Sequence, residues 1–282
     1  MNLKKTKTGI AKYVSEKRKQ KSTIGFVPTM GALHQGHASL IEFGLKRHDY
    51  IIVSIFVNPT QFNNASDLEK YPRTLDEDAS FLDKYKESVC IYAPTPQEVY
   101  GDKVVSKQYN FNGIETVMEG THRPGHFDGV GTVLNHLFRQ VNPDEAFFGE
   151  KDFQQLLIVK KLVEIEKLPL KITGCPIHRQ ENGLAMSSRN ARLTPQQLEE
   201  ATFIYKILRQ VKENFNTKSA HTLRAWVTTQ FENNPHLRLE YFEISNIKNL
   251  KPLSRKRTHQ KYRAFIAAFS GEIRLIDNMA IN

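Results

Sequence analysis

Two histidines three residues apart, His34 and His37, lie within the segment Pro28-Thr29-Met30-Gly31-Ala32-Leu33-His34-Gln35-Gly36-His37. The run Thr23-Ile24-Gly25-Phe26-Val27 before it reads as a buried strand stopped by Pro28. Residues Gly36 to His48 read as a helix with Leu40, Ile41, Gly44 and Leu45 on one face. A strand-to-helix junction presents backbone N–H groups and the positive end of the helix dipole, which suits a phosphate. Gly31 and Gly36 let the backbone approach a ligand with no Cβ in the way. Residues three apart on a first turn project from one side of the helix. Two imidazoles placed there can donate hydrogen bonds to charge that builds during phosphoryl or nucleotidyl transfer. His-x-x-His by itself also fits a metal pair or a polar surface turn; the two glycines and the junction favour a nucleotide phosphate.

Three further segments follow predicted strands, where an open parallel sheet binds its ligands. Asn58-Pro59-Thr60-Gln61-Phe62 comes after Tyr50-Ile-Ile-Val-Ser-Ile-Phe-Val57, the strongest strand pattern in the chain. Its amides can read a carboxylate, hydroxyl or carbonyl without adding charge, although such a segment is more often a plain turn. Gly149-Glu150-Lys151-Asp152-Phe153-Gln154-Gln155 is another strand-to-helix junction. Lys151 can neutralise phosphate oxygens, Asp152 reads as a helix cap, and Gln155 lies one turn past Lys151 on the same side. Asn182 to Asn190 carries Met186, Ser187, Ser188 and Arg189, a hydroxyl and guanidinium set fit for a mobile phosphate clamp or for a polar linker. Arg123, in Thr121-His-Arg-Pro-Gly-His-Phe-Asp-Gly-Val130, can attract a carboxylate. Thr74-Leu75-Asp76-Glu77 reads as a capping box, and Asp76, Glu77 and Asp78 complement a helix dipole. An ATP enzyme also needs Mg²⁺, which prefers a carboxylate or two, and Asp78 is the candidate ligand.

Short β-rich runs alternate with helical patterns up to about residue 175: Ser88–Tyr92, Glu145–Phe148 and Leu170–Thr173 as strands, Gly129–Val141 and Asp152–Glu166 as helices. Such spacing implies parallel pairing with right-handed crossovers. Beyond Asn190 the pattern changes to helices from Thr194 to Phe215 and Ala220 to Asn233. Strands at Leu237–Ile244, Tyr262–Phe269 and Glu272–Ile276 follow. The expected fold is α/β, a Rossmann-like parallel sheet over residues 1–177 with a smaller α+β domain over 178–282.

A chain of 282 residues can bury a large core. No run approaches the roughly 20 apolar residues that span a bilayer, and no apolar stretch follows the lysine-rich first residues, so neither a membrane partner nor a secretory signal is expected. Cys90 and Cys175 make no scaffold, and a reducing cytoplasm is the default. The net charge of +10 is concentrated between Lys4 and Lys21 and between Lys248 and Arg263. These runs lack the aromatic interleaving of a single-strand platform, so they read as solvated faces rather than a nucleic-acid surface.

Taken in order, Pro28–His37, Asn58–Phe62, Tyr71–Thr74, His126–Val130, Gly149–Asp152 and Met186–Asn190 resemble the motifs of the pantoate–beta-alanine ligases, over nearly the whole chain. His34-Gln-Gly-His37 alone resembles only the wider nucleotidyltransferase superfamily with a HIGH-type motif. The resemblance implies adenylation of pantoate by ATP, then attack of beta-alanine on the acyl adenylate. It implies ATP contacts from Met30, Gly31, Ala32, Leu33, His34, Gln35, Gly36, His37, Gly149, Glu150, Lys151, Asp152, His178, Met186, Ser187, Ser188 and Arg189. It makes His34, His37 and Lys151 the catalytic residues, with His37 as proton donor. Gln61 and Gln155 would bind pantoate, and Gln61 also beta-alanine. A homodimer, and a C-terminal domain closing over the ATP site, are implied as well. One departure is His178 before Arg179, where the family has a small apolar residue.

Overall fold

The structure is a computed structural model describing residues 2–63 and 65–282. Among the described residues the elements run β1 (Asn2–Lys4), α1 (Lys7–Lys19), β2 (Ile24–Thr29), α2 (Gln35–Leu45), β3 (Tyr50–Ile55), α3 (Ala65–Glu69) and α4 (Leu75–Leu82). They continue with β4 (Val89–Tyr92), α5 (Pro96–Tyr100), α6 (Glu119–His122), α7 (His126–Val141), β5 (Glu145–Gly149), α8 (Phe153–Ile165) and β6 (Lys171–Cys175). Then come α9 (Pro195–Asn214), α10 (Ala220–Glu232), β7 (Leu237–Asn246), β8 (Tyr262–Ser270) and β9 (Ile273–Ala280). By their contacts the residues fall into two compact units. The first runs up to Glu150 and takes in Gln154–Pro176; the second comprises Lys151–Phe153 and Ile177–Asn282.

The first unit is built on a parallel sheet in the order β1-β4-β3-β2-β5-β6. Its central strands read as continuous apolar runs because helices cover both faces. Val27, Ile41, Ile51, Val53, Ile91 and Phe147 form one core cluster. The chain moves outward from β2 to β3 to β4, then crosses back to place β5 on the other side of β2. That reversal makes the C-terminal ends of β2 and β5 the switch point, where such sheets bind ligands. The loop carrying His34 leaves β2, and the loop opening at Glu150 leaves β5. The second unit is a three-stranded antiparallel sheet, β7-β8-β9, backed by α9 and α10 through a core that includes Leu208, Val227, Ile244, Ala264 and Ile266. The expected fold class is therefore the one observed.

The sequence assigned no element to the first 20 residues, reading them only as a basic face. They form β1, paired parallel to β4, and α1, capped by Thr6, whose Oγ1 accepts the Gly9 N–H at 3.0 Å. Only Ile10, Tyr13 and Val14 of the helix are buried, so lysines dominate its composition and hide the helical period. Some of that charge is used locally: the Lys17 ammonium lies 3.9 Å from the centroid of the Tyr50 ring. The expected capping box at Thr74 does not form. Thr74 makes no side-chain cap bond, and its hydroxyl turns to Asp78 instead. Cys90 and Cys175 are buried free thiols, each pushed up to about 12 by burial.

At the opposite end of β5 from the switch point, Glu145 is buried among Thr173, His48, Arg47 and Lys171. Burial alone would push its carboxyl up, but hydrogen bonds from Thr173, His48 and Arg47 hold it down to about 2. A depressed carboxyl contributes stability above its unfolded value of 4.5, and this is lost as pH falls toward 2. The contribution is on the order of 3 kcal/mol. Glu145→Gln should therefore lower Tm at pH 7, and the gap from the parent should narrow as both are melted at pH 4, 3 and 2.5. A constant gap at every pH would show that Glu145 carries no such linkage.

Candidate active site

The loop between β2 and α2 begins at Thr29, whose hydroxyl donates to Ser54 O at 2.6 Å and accepts the Gly31 N–H at 3.2 Å. Gly31 and Ala32 then take left-handed conformations, with φ of +83° and +48°. Glycine does this freely, whereas alanine is strained there by roughly 1–2 kcal/mol. Asp78, reaching over from α4 and only 2% exposed, holds the turn in place. Its Oδ1 accepts the Leu33 N–H at 2.6 Å, and its Oδ2 accepts the Ala32 N–H at 3.0 Å and the Thr74 hydroxyl at 3.4 Å. Burial pushes the Asp78 carboxyl up, and these three donors offset part of that shift. A Cβ on Gly31 would stand 2.9 Å from Asp78 Oδ2, so the close approach requires glycine.

The turn delivers His34 as the N-cap of α2. Its Nδ1 accepts the Gly36 N–H at 3.1 Å, while Nδ1 of His37 accepts the His34 N–H at 3.3 Å. The two rings, with centroids 4.1 Å apart, thus form a reciprocal capping box built from imidazoles. A ring nitrogen that accepts from a backbone N–H carries no proton, so both histidines are held with the proton on Nε2. The helix start therefore carries two Nε2–H donors beside its own N–H groups. Sequence reasoning placed both rings on one side of a first turn. The capping role that fixes their tautomer arises only in the folded turn.

Gln61, in the short 3-10 turn Pro59–Gln61 after β3, is 8% exposed. Its Oε1 accepts from Asn58 Nδ2 at 3.1 Å, and its Nε2 donates to Met30 Sδ at 3.0 Å. Its backbone carbonyl is held by His126 Nδ1 at 2.8 Å and Arg123 at 3.3 Å. Asn58 is oriented in turn by Tyr100, whose hydroxyl donates to Asn58 Oδ1 at 2.5 Å. The turn lies so close to α7 that a Cβ on Gly129 would meet Thr60 O at 2.5 Å. The Arg123 guanidinium pairs with Glu119 at 3.6 Å and serves the Gln61 carbonyl; the sequence had offered it to a carboxylate substrate.

Gly149 ends β5 and Glu150 opens a 3-10 turn, Glu150–Asp152. Gln155, half-buried on α8, follows Gln154, which the sequence gave no role. Gln154 is 4% exposed, donates to Ile114 O and Val117 O at 2.8 Å each, and accepts the Glu119 N–H at 3.1 Å. It pins the segment before α6 and leaves its neighbour Gln155 on the less buried side of the helix. Nothing in its sequence context distinguishes it from Gln155.

In the second unit, the Lys151 side chain is 16% exposed, with its ammonium 3.7 Å from Asp152 Oδ1. Ser187 caps the 3-10 turn Ser188–Arg192, its Oγ accepting the Arg189 N–H at 3.3 Å. Met186, Ser187, Ser188 and Arg189 are all half-buried. His178 is exposed, and its carbonyl accepts the Met186 N–H at 3.1 Å, so its backbone orders the start of that segment. Asp78 does not fit the expected Mg²⁺ role, because both of its oxygens are bonded to the loop. Among the described residues no group of three or more His, Cys, Asp or Glu side chains is placed to hold a metal ion.

The family model for pantoate-beta-alanine ligase matches residues 2–280. The chain belongs to the pantoate–beta-alanine ligase family. A pantothenate synthetase of Christiangramia forsetii is 56% identical over 260 residues, 92% of each chain. The fold matches the crystal structure of pantothenate synthetase from Thermus thermophilus with a TM-score of 0.91 at 34% identity, covering 100% of this chain and 99% of that one. A pantoate-beta-alanine ligase from Francisella tularensis, complexed with beta-gamma ATP and beta-alanine, matches at a TM-score of 0.82 and 36% identity, covering 99% and 97% of the two chains.

Asparagine is a good N-cap but offers no Nε2–H. His34→Asn should therefore keep Tm within about 2 °C while lowering kcat of the ligase reaction by about 10² or more. A lower Tm with kcat retained would make His34 a cap and nothing else.

Proposed function

We propose that the reciprocally capped histidine pair is the charge-stabilising centre of this ATP-dependent ligase. The reaction is the condensation of (R)-pantoate with beta-alanine to pantothenate. A pantoate carboxylate oxygen attacks the α-phosphorus of ATP; the new P–O bond forms as the bond to pyrophosphate breaks. The beta-alanine amine then attacks the acyl carbon of pantoyl adenylate, and AMP leaves. Both steps concentrate negative charge on phosphate oxygens, so they depend on positioning and on donors set in advance. The observation that carries the assignment is the tautomer: with Nδ1 of His34 and His37 accepting backbone N–H groups, each ring has a donor at Nε2 and no proton to lose elsewhere.

The remaining roles follow the family resemblance. Met30 to His37, Gly149 to Asp152, His178 and Met186 to Arg189 contact ATP, with Lys151, Ser187, Ser188 and Arg189 on its phosphates. Gln61 and Gln155 bind pantoate, and Gln61 also meets beta-alanine. Gln61 suits the task, because its amide is oriented by Asn58 and its carbonyl by His126 before any substrate arrives. His37, held as the Nε2–H tautomer, is the donor toward the leaving phosphate. Mg²⁺, the expected companion of ATP, is given no ligand in this chain. A cytoplasmic homodimer belongs to the same reading, on the strength of the resemblance. Among the described residues no helix is long and apolar enough to cross a membrane.

Supplied with ATP, Mg²⁺, pantoate and beta-alanine, the protein should release AMP and pyrophosphate in equal amounts, and Lys151→Ala should slow release by about 10² or more. Release that continues unchanged without pantoate would rule out the assigned substrate.

A further inference from the structure

In the second unit, two adjacent residues of β9 are buried and polar: Asp277 is 5% exposed and Asn278 is 1% exposed. Asn278 Nδ2 donates to the backbone carbonyl of Lys151 at 2.7 Å, and its Oδ1 accepts from the Arg263 guanidinium. Arg263 itself lies over the Phe153 ring, 4.2 Å from its centroid. Asp277 accepts both terminal nitrogens of Arg179, at 2.6 and 2.9 Å, and also the Asn278 N–H at 2.7 Å. Arg179 goes on to donate to Gly183 O at 3.0 Å and to Asn278 O at 3.2 Å. The backbone bridge from Arg179 to Ala185, with the bond from Met186 N–H to the carbonyl of the neighbouring His178, fixes the bend that leads into Met186–Arg189.

A buried ion pair with its attendant amide is a weak source of stability, since apolar side chains of the same volume usually do as well. Its distinctive property is geometry. Bidentate arginine–carboxylate bonds and a doubly bonded amide leave the attached backbone little freedom. Here the bonds end on two backbone segments, the carbonyl of Lys151 and the 179–186 bend.

We propose that Asn278 is a positioning residue for Lys151, and that Asp277, acting through Arg179, positions Met186–Arg189. One strand of the second unit thereby sets the spacing between the ammonium of Lys151 and the hydroxyl and guanidinium groups of the other segment. This rests on the reading of both segments as ATP phosphate contacts. Asp277 and Asn278 are buried and act through Lys151 and the Met186–Arg189 segment, so their effect falls on ATP and not on pantoate.

The test compares Asn278→Asp and Asn278→Ala, each alone and combined with Lys151→Ala, by steady-state kinetics on protein checked for folding by its Tm. Asn278→Asp keeps the size and an acceptor for Arg263 but turns an oxygen toward the Lys151 carbonyl. It should lower kcat/KM for ATP by about 10-fold or more while KM for pantoate stays within about 2-fold. In the Lys151→Ala background the same change should cost less than about 3-fold, because the group it positions is gone. If Asn278→Asp does not fold, Asn278→Ala removes the donor without adding charge and carries the same expectation. An equal loss in both backgrounds, or normal kcat/KM in both Asn278 variants, overturns the proposal. If Lys151→Ala alone is fully active, the ATP reading of Lys151 fails and the proposal falls with it. If Lys151→Ala is impaired and the Asn278 variants are not, only the proposal fails.

Discussion

The bonds from the Ala32 and Leu33 N–H groups to the buried carboxylate of Asp78 are the constraint on which the rest of the site depends. Without an acceptor there, two adjacent amides would be stranded beside a low-dielectric core, and Ala32 would have no reason to remain at φ +48°. The left-handed turn at Gly31 and Ala32 sets the angle at which the chain enters α2, and the entry angle decides whether His34 can cap it. The cap then decides the tautomer of both histidines. A carboxylate behind the loop thus determines which ring nitrogen of each histidine accepts from the backbone and which is left to donate.

The same construction recurs elsewhere in the molecule. Gln61 holds its amide in one orientation because Asn58 engages its Oε1 and Met30 its Nε2, while His126 and Arg123 fix its backbone carbonyl. Gln154 ties down three backbone groups between Ile114 and Glu119, so that Gln155 is left as the neighbour with a surface to offer. In each case a buried polar side chain satisfies backbone that has left regular secondary structure, and the residue expected to meet substrate stands one residue or one bond away. Preorganisation of this kind is what adenylation needs, because its barrier is lowered by donors that do not have to reorganise as charge moves.

Much of this was legible in the sequence. The strand-to-helix order around His34, the strand beginning at Tyr50 and the two helices followed by three strands after residue 190 all show in the periodicity, although β2 runs on through Pro28 to Thr29 where the pattern predicts a stop at Val27. What the sequence could not carry was the direction in which polar side chains point. Asp78 sits in a row of three acids and looks like a helix-dipole residue or a metal ligand; its burial under the loop is a tertiary fact. Thr74 has a good capping-box spacing, but its hydroxyl is drawn to that same carboxylate. Helix α1 was hidden for a different reason, because three buried residues among so many lysines leave too thin an apolar stripe. Gln154 and Gln155 are chemically identical neighbours, and only burial separates their roles.

The most direct measurement of this dependence is pantoate-dependent exchange of label between pyrophosphate and ATP in Asp78→Asn. The amide keeps the size of the carboxylate, but it can accept only one of the two loop N–H groups and sets its own NH₂ against the other. The adenylation step alone is read out, free of beta-alanine. Exchange should fall by about 10² relative to the parent, the scale expected when reacting groups are misplaced by about 1 Å, while the protein stays folded by its melting curve. Exchange at the parental rate in folded Asp78→Asn would contradict the claim that this carboxylate organises the histidine pair.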